Sequence, residues 1–170
     1  DANVIFIDRY SGTCGAEGDN LTWTYDPETC TLTISGSGNM AEYDQGRTLP
    51  WAEFIENIQA VAFDGNVTSI GDYAFAGFTS LEAIVIPDSV TRIGGGAFRE
   101  CPALKQITLH PGITYMGDKM FTYSEALEIV YFNGTEAQWL AFDKGNGNTV
   151  LDDANVIFID RYSGTCGAEG

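Results

Sequence analysis

Hydrophobic residues return at fixed intervals through the middle of the chain. Three consecutive 23-residue segments, residues 67–89, 90–112 and 113–135, carry apolar side chains at the same offsets. A period of roughly 20 to 29 residues with regular apolar positions is typical of a leucine-rich repeat. One segment cannot bury its own apolar face, so the pattern predicts a stacked, β-rich leucine-rich-repeat solenoid with short helical turns. The recurring positions are Val67/Val90/Ile113, Ile70/Ile93/Met116, Phe75/Phe98/Phe121, Leu81/Leu104/Leu127, Ile84/Ile107/Val130 and Ile86/Leu109/Phe132.

Each repeat contains an alternating apolar segment that predicts a strand. Ile84 and Ile86 should point into the core, which leaves Ala83 and Val85 facing outward. The Ala-Phe step earlier in each repeat predicts a short helical turn that carries a core aromatic side chain. The outward positions on the next two repeats are Gln106 and Thr108, then Ile129 and Tyr131.

The first 43 residues have a different, antiparallel pattern. Residues 4–7 predict a strand, and residues 21–25 and 31–34 alternate around a turn that contains Pro27. This predicts a β-hairpin that caps or bridges the repeats. The glycine-rich residues 35–41 resemble a dinucleotide-binding fingerprint, but no helical period follows them, so a turn leaving the hairpin is the better interpretation.

The repeat region is predicted to run over residues 44–152. Residues 44–66 form a degenerate first repeat, because Ile58, Val61 and Phe63 lie 23 residues before core positions of the next one. A short helix is predicted at residues 50–56. After the clear repeats, the pattern indicates helical turns over residues 136–142, then a loop, then a strand over 155–159 beside residues 129–132.

The two ends of the chain have the same sequence. Residues 153–170 reproduce residues 1–18 without change, at an offset of 152 residues. The copy is either the start of the next tandem unit or an artificial duplication of one end. Growth of repeat proteins by whole units favours the tandem array. We therefore expect head-to-tail self-association through residues 1–8 (from Asp1 to Asp8) and 153–160 (from Asp153 to Asp160).

Charge excludes two classes of partner. The chain has 24 acidic and 8 basic residues and a net charge of −16. Such a surface repels nucleic acid and anionic membranes. No run of 18 apolar residues is present, so membrane insertion is not expected.

The cysteines predict a disulfide and no metal or cofactor site. Cys14 and Cys30 flank the first hairpin strand, and a bond between them would stabilise the fold by about 3 kcal/mol. The alternative is two free thiols. Cys101 and His110 could be a nucleophile pair, but the repeat explains both positions, Cys101 as a small buried apolar residue. The sequence contains no C-x-x-C pair, so a metal site is not expected. Cys166 should be unpaired.

The repeat motif resembles a known family. The pattern V-T-x-I-G-x-x-A-F-x-x-C-x-x-L-x-x-I-x-L-P is similar to the BspA-type leucine-rich repeat of bacterial surface proteins, and the flanking segments extend the resemblance over nearly the whole chain. Phe78, Ser124 and Asn133 depart from it. The resemblance implies a secreted or cell-surface protein, often concerned with adhesion, without shared catalytic residues. The residues that carry it best are Ile93, Gly94, Ala97, Phe98, Cys101, Leu104, Ile107 and Leu109.

Together these observations predict a non-enzymatic extracellular module for cell-surface adhesion or end-to-end assembly into a fibre. Its partner would be a protein or a glycan. The alternative is a carbohydrate-binding accessory module of a larger secreted protein, which would need exposed, coplanar Trp and Tyr side chains. A hydrolase would need a cleft with clustered carboxylates. The predicted contact residues are Tyr131, Ile129, Thr108, Gln106 and Val85.

Overall fold

The computed structural model describes residues 10–45 and 49–159. Most of their regular structure is β-strand, arranged in two sheets. The strand order in the first sheet is β1-β2-β3-β4-β6-β8, and in the second it is β10-β9-β7-β5. The strands of the first sheet are β1 (Ser11–Gly15), β2 (Gly18–Asp26), β3 (Thr31–Asn39), β4 (Ala60–Ile70), β6 (Arg92–Ile93) and β8 (Tyr115–Met116). Those of the second are β5 (Ala83–Val85), β7 (Gln106–Leu109), β9 (Ile129–Phe132) and β10 (Asn155–Phe158).

The predicted hairpin is confirmed. Strands β2 and β3 pair antiparallel, with Trp23 opposite Ile34 and Tyr25 opposite Leu32. All four side chains are buried. The turn begins at Asp26, whose carboxylate accepts hydrogen bonds from the backbone of Glu28 and the hydroxyl of Thr29. A short Asp side chain that bonds the backbone two residues on is typical of such turns.

The hairpin is longer than the sequence predicted. Residues 35–39 continue β3 where a turn was expected, and β3 pairs in parallel with β4. Gly36 lies opposite Gly65, and their φ angles are 116° and 119°. A Cβ on Gly65 would lie only 2.2 Å from the Gly36 carbonyl oxygen. The two glycines let the two backbones approach closely, so β3 continues past the predicted turn and joins the hairpin to the repeats.

The three clear repeats stack in register. Ile84 lies beside Ile107 and Ile107 beside Val130 in the second sheet, and all three are buried. Inside the stack, the Phe75 and Phe98 ring centroids are 5.8 Å apart, and those of Phe98 and Phe121 are 5.7 Å apart, with 29° and 13° between planes. The alignment of core aromatic residues is therefore confirmed. Hydrogen-bonded turns replace the predicted helical turns at these Phe positions.

The described part of the degenerate first repeat contains a 3-10 helix and the first part of strand β4, which runs on into the next repeat. The helix, Ala52–Phe54, is shorter than predicted. Trp51 beside it stacks on Phe75 at 6.0 Å between ring centroids and donates its indole N–H to the Ala74 carbonyl at 3.1 Å. Trp51 therefore extends the row of aromatic rings by one position. Its indole nitrogen is buried but hydrogen-bonded, as a buried Trp requires.

The last repeat closes with two short helices. Helix α1 (Glu136–Ala141) was predicted; it begins with a reciprocal capping box between Thr135 and Gln138. Helix α2 (Val150–Asp153) was not predicted. Strand β10 then pairs in parallel with β9, as expected. The strand predicted over residues 4–7 lies outside the described residues. Across the described part of the chain, no helix is both long and apolar enough to cross a bilayer.

Candidate binding surface

The outward side chains of the second sheet form two parallel rows. Neighbouring strands of a sheet are about 4.8 Å apart, so each row is a closely spaced ladder. All five predicted contact residues lie in these rows. Strand β10 extends both rows by one residue, which the sequence analysis did not identify. The first row is Ala83, Gln106, Ile129 and Asn155, and the second is Val85, Thr108, Tyr131 and Ile157.

We call these eight residues the outer ladder. Its members differ in exposure: Val85 is 61% exposed and Ile157 is 38% exposed, while Gln106, Thr108, Ile129 and Tyr131 are half-buried. None of the eight carries a charge, in a chain whose net charge is −16. The residues just before the strands are charged and exposed, namely Glu82, Lys105 and Glu128. The outer ladder is thus a neutral surface beside a row of charged residues.

The predicted disulfide is absent. Cys14 and Cys30 are both free thiols, Cys14 buried and Cys30 half-buried. Cys14 lies near the Leu21 end of β2, and Cys30 follows the turn at its Asp26 end. Five residues of strand separate these ends by about 17 Å, far beyond the Cα separation of roughly 7 Å that a disulfide allows. The prediction was wrong because the two cysteines flank the strand at opposite ends. Cys166 lies outside the described residues.

Cys101 has a hydrogen-bonding role that the sequence analysis missed. Its thiol contacts the Phe75 carbonyl oxygen at 3.2 Å, and its backbone N–H donates to the Ser124 hydroxyl at 2.8 Å. Ser124 in turn donates to the Phe98 carbonyl at 2.6 Å. Burial raises the pKa of the Cys101 thiol to about 12. A protonated thiol that is hydrogen-bonded to the neighbouring repeat has a structural role, which agrees with the position of Cys101 in the repeat. The side chain is a hydrogen-bond donor as well as the small buried apolar residue that was predicted.

His110 also joins two repeats. Its ring is buried, with Nε2 at 3.0 Å from the Pro87 carbonyl oxygen, and its Nδ1 accepts the Gly112 N–H at 3.1 Å. Because Nδ1 accepts, the Nε2 nitrogen carries the proton and donates it to Pro87. Both ring nitrogens are therefore occupied. Cys101 and His110 have separate partners, and the structure gives no contact that would make them a catalytic pair.

The loop after α1 uses its polar side chains to close the last repeat. The buried Asn148 accepts the Met120 N–H at 2.7 Å and donates to the carbonyls of Gly117 and Lys144. Lys144 forms an ion pair with Asp152 at 2.8 Å. Within residues 10–45 and 49–159, no cluster of three His, Cys, Asp or Glu side chains could hold a metal ion.

Each tryptophan of the described residues is buried. Trp23 is 4% exposed, Trp51 is fully buried and Trp139 is 6% exposed. The coplanar, exposed Trp side chains that the accessory-module alternative would need are therefore not present in this part of the chain. The large exposed aromatic side chains of the described residues are instead Tyr115, Tyr123 and Phe158, at 46%, 63% and 37%.

Comparison with known proteins agrees with the repeat pattern. The family model described as "BspA type Leucine rich repeat region (6 copies)" matches residues 53–163. No curated protein matches the chain.

Three solved structures resemble it. A leucine-rich repeat protein from Eubacterium ventriosum ATCC 27560 is 20% identical, with a TM-score of 0.50 over 73% of this chain and 44% of that one. A leucine rich cell surface protein from Faecalibacterium prausnitzii A2-165 is 17% identical, with a TM-score of 0.44 over 76% and 42%. A leucine-rich repeat protein from T. pallidum is 19% identical, with a TM-score of 0.38 over 80% and 82%. The chain thus matches less than half the length of the first two.

Proposed function

The chain belongs to the BspA-type leucine-rich-repeat family, and from that premise we propose that it is a non-enzymatic module of a secreted or cell-surface bacterial protein that serves adhesion. The observation that carries the proposal is the outer ladder. Four strands in register hold eight uncharged side chains in two rows on one face. A repeat fold enlarges such a surface by one step with each repeat, which suits contact with an extended partner.

Tyr131 is the residue of the outer ladder to which we assign the largest contribution. It lies between Thr108 and Ile157 in the second row. A half-buried tyrosine is held in place before binding, and it offers both an aromatic ring and a hydroxyl group. Tyrosine is accordingly enriched among the residues that dominate binding energies.

Binding by the outer ladder can be tested on immobilised extracellular-matrix proteins and mucin. The Tyr131→Ala variant should bind at least about tenfold more weakly than the unmodified chain. Tyr123→Ala is the matched control, because Tyr123 is 63% exposed and lies off the outer ladder. Equal binding by both variants, or a larger loss in the control, would count against the outer ladder as the contact surface.

We further propose that units join end to end into a continuous solenoid fibre. Strand β10 has the same sequence as residues 3–6, and among the described strands it is one of the two edge strands of its sheet. Apolar side chains at the end of β10 and just after it are open to solvent: Ile157 is 38%, Phe158 37% and Ile159 38% exposed. An exposed apolar edge strand favours pairing with a strand of another unit. Residues 1–8, the other proposed partner, lie outside the described residues.

Sedimentation velocity over a range of protein concentrations tests assembly. The unmodified chain should form larger species as its concentration rises. Ile157→Lys should abolish this growth, because a charge on an edge strand opposes further pairing. Leu140→Lys is the control, since Leu140 is 77% exposed but does not lie on the edge strand. If the chain stays monomeric at every concentration, assembly through this edge is ruled out, and the separate proposal of adhesion is unaffected.

A further inference from the structure

A notch opens on the molecule where the middle repeat has two adjacent glycines. Two consecutive repeat positions carry side chains in the first and third clear repeats and none in the second. The result is a cavity of about 350 Å³ beside the first sheet, away from the outer ladder. These two positions are Asp72/Gly95/Asp118 and Tyr73/Gly96/Lys119.

The glycines themselves create the space. Gly95 does not have a positive φ angle, so the backbone would accept a side chain there. A Cβ on Gly95 would come within 3.3 Å of the Asp118 carbonyl oxygen and would occupy the notch. At Gly96 a Cβ would lie 2.5 Å from the Tyr73 ring. The Tyr73 ring therefore rests against the Gly96 backbone and forms one wall.

The carboxylates in the notch are held in place and keep free acceptor oxygens. Asp72 accepts the Gly95 N–H at 2.7 Å through Oδ1. Asp118 accepts the backbone and side-chain N–H groups of Asn146 at 3.1 and 3.2 Å, also through Oδ1. Among the described residues, neither Oδ2 atom has a hydrogen-bond partner, and Lys119 has no ion pair. The notch thus offers two fixed acceptors and two cationic donors, Lys119 and Arg99, and the Arg99 Nε–H is already donated to Glu100.

An aromatic side chain lies at the rim. Tyr115 is 46% exposed, and the guanidinium carbon of Arg92 lies 4.0 Å from its ring centroid. That contact holds the ring in position. Fixed carboxylate oxygens beside a fixed aromatic ring match a ligand with hydroxyl groups on its edges and C–H groups on its faces, which is the chemistry of a sugar ring.

From this arrangement we infer that the notch binds a neutral saccharide of one or two sugar units. The lining carries two carboxylates, Asp72 and Asp118, and two cations, Lys119 and Arg99, of which Arg99 forms an ion pair with Glu100 at 3.0 Å. Anionic sugars are disfavoured by the charge of −16 on the whole chain. A metal ion is disfavoured, because the described residues provide no group of three suitable ligands. A cavity of this size encloses a small ligand and is too small for a folded partner. The inference does not depend on binding by the outer ladder.

A printed array of neutral hexose and N-acetylhexosamine oligosaccharides, with sulfated and sialylated counterparts, tests this assignment on the full chain. Neutral oligosaccharides should bind and the acidic ones should not. Gly95→Asp should abolish binding, because its side chain would fill the notch. The variant gives the middle repeat the same residue that its neighbours have at this position, Asp72 and Asp118. Tyr115→Ala should weaken binding at least about tenfold.

Two controls separate the notch from a loss of folding and from the outer ladder. Gly95→Asp should retain the circular dichroism spectrum of the unmodified chain, and Tyr131→Ala should bind the sugars unchanged. The inference is overturned if no neutral saccharide binds, if acidic ones bind better, or if Tyr131→Ala loses sugar binding while Tyr115→Ala keeps it. That last result would instead place the sugar site on the outer ladder.

Discussion

The Ser124 hydroxyl donates a 2.6 Å hydrogen bond to the carbonyl of Phe98, one repeat earlier in the stack. Cys101 makes the same connection to Phe75 with its thiol, at 3.2 Å. Each contact spans 26 residues. One repeat position therefore accepts either cysteine or serine because its task is to donate to the repeat below. Ser124, which departs from the motif in its residue type, retains this contact.

Ser124→Ala should destabilise the fold by about 2 kcal/mol, because it leaves the Phe98 carbonyl and the Cys101 N–H without a partner in the core. Ser124→Cys should cost less, since Cys101 shows that a thiol fits the same role. Urea unfolding of the two variants measures the difference. An alanine variant as stable as the cysteine variant would contradict the role assigned to the hydrogen bond.

Phe98 is the middle ring of the aromatic stack and is fully buried. Phe98→Ala should lower the free energy of unfolding by about 3 to 5 kcal/mol, because it opens a cavity between two other rings. Phe142→Ala is the comparison, as this half-buried ring packs against Phe132 near the last repeat. Chemical denaturation should show a smaller loss for Phe142→Ala, and the reverse order would be evidence against a continuous stack.

Tyr123 adopts a left-handed backbone conformation, with φ of 62°, that an L-residue with a side chain reaches at a cost. Gly77 occupies the equivalent position two repeats earlier, with φ of 81°. Tyr123→Gly should therefore be more stable than Tyr123→Ala by about 1 kcal/mol. Both variants lose the same ring contact with Arg99, so their thermal unfolding compares the backbone alone. An alanine variant of equal stability would show that the position is unstrained.

Alkaline pH should weaken the fold through its buried thiols. Burial raises the pKa of Cys14 and Cys101 from 9.0 to about 12. Between these values the folded state keeps protons that the unfolded state releases, so stability is present below pH 9 and is lost as pH rises toward 12. The loss from pH 8 to 10 should be about 1 kcal/mol per thiol.

Cys101→Ser removes one of these thiols and keeps the hydrogen-bond donor. Between pH 8 and pH 10 the unmodified chain and the Cys101→Ser variant should both lose stability, but the loss in the variant should be smaller by about 1 kcal/mol. Urea denaturation at both pH values gives the comparison. Parallel declines in the two proteins would exclude Cys101 as a source of the alkaline sensitivity.

The stacked repeats and the outer ladder follow from periodicity alone. A 23-residue period fixes which residues are neighbours, and strand alternation fixes which of them face outward. Tyr131 could thus be placed beside Thr108 before any coordinates were known, and the structure adds Ile157 because β10 continues the same row. Such predictions succeed because local pattern and tertiary neighbour coincide in a repeat.

Features set by distances between segments could not be predicted. The sequence shows Cys14 and Cys30 on either side of one strand, but not that the strand stays extended between them and holds them about 17 Å apart. It shows glycines at 36 and 65, but not that they meet. It also shows two glycines in the middle repeat, while only the structure shows that the Tyr73 ring packs over Gly96 and defines a cavity.

Strand β4 gives the module an uneven resistance to a pulling force. It spans in one piece the length that later repeats divide between two short strands, and it shares nine paired positions with β3 but only two with β6. A force along the strands must shear nine positions together to detach the hairpin, whereas the later repeats can be peeled off two to four positions at a time. Under tension the repeats would thus unfold one after another from β10 inward, and the pairing of the hairpin with β4 would be the final contact to break.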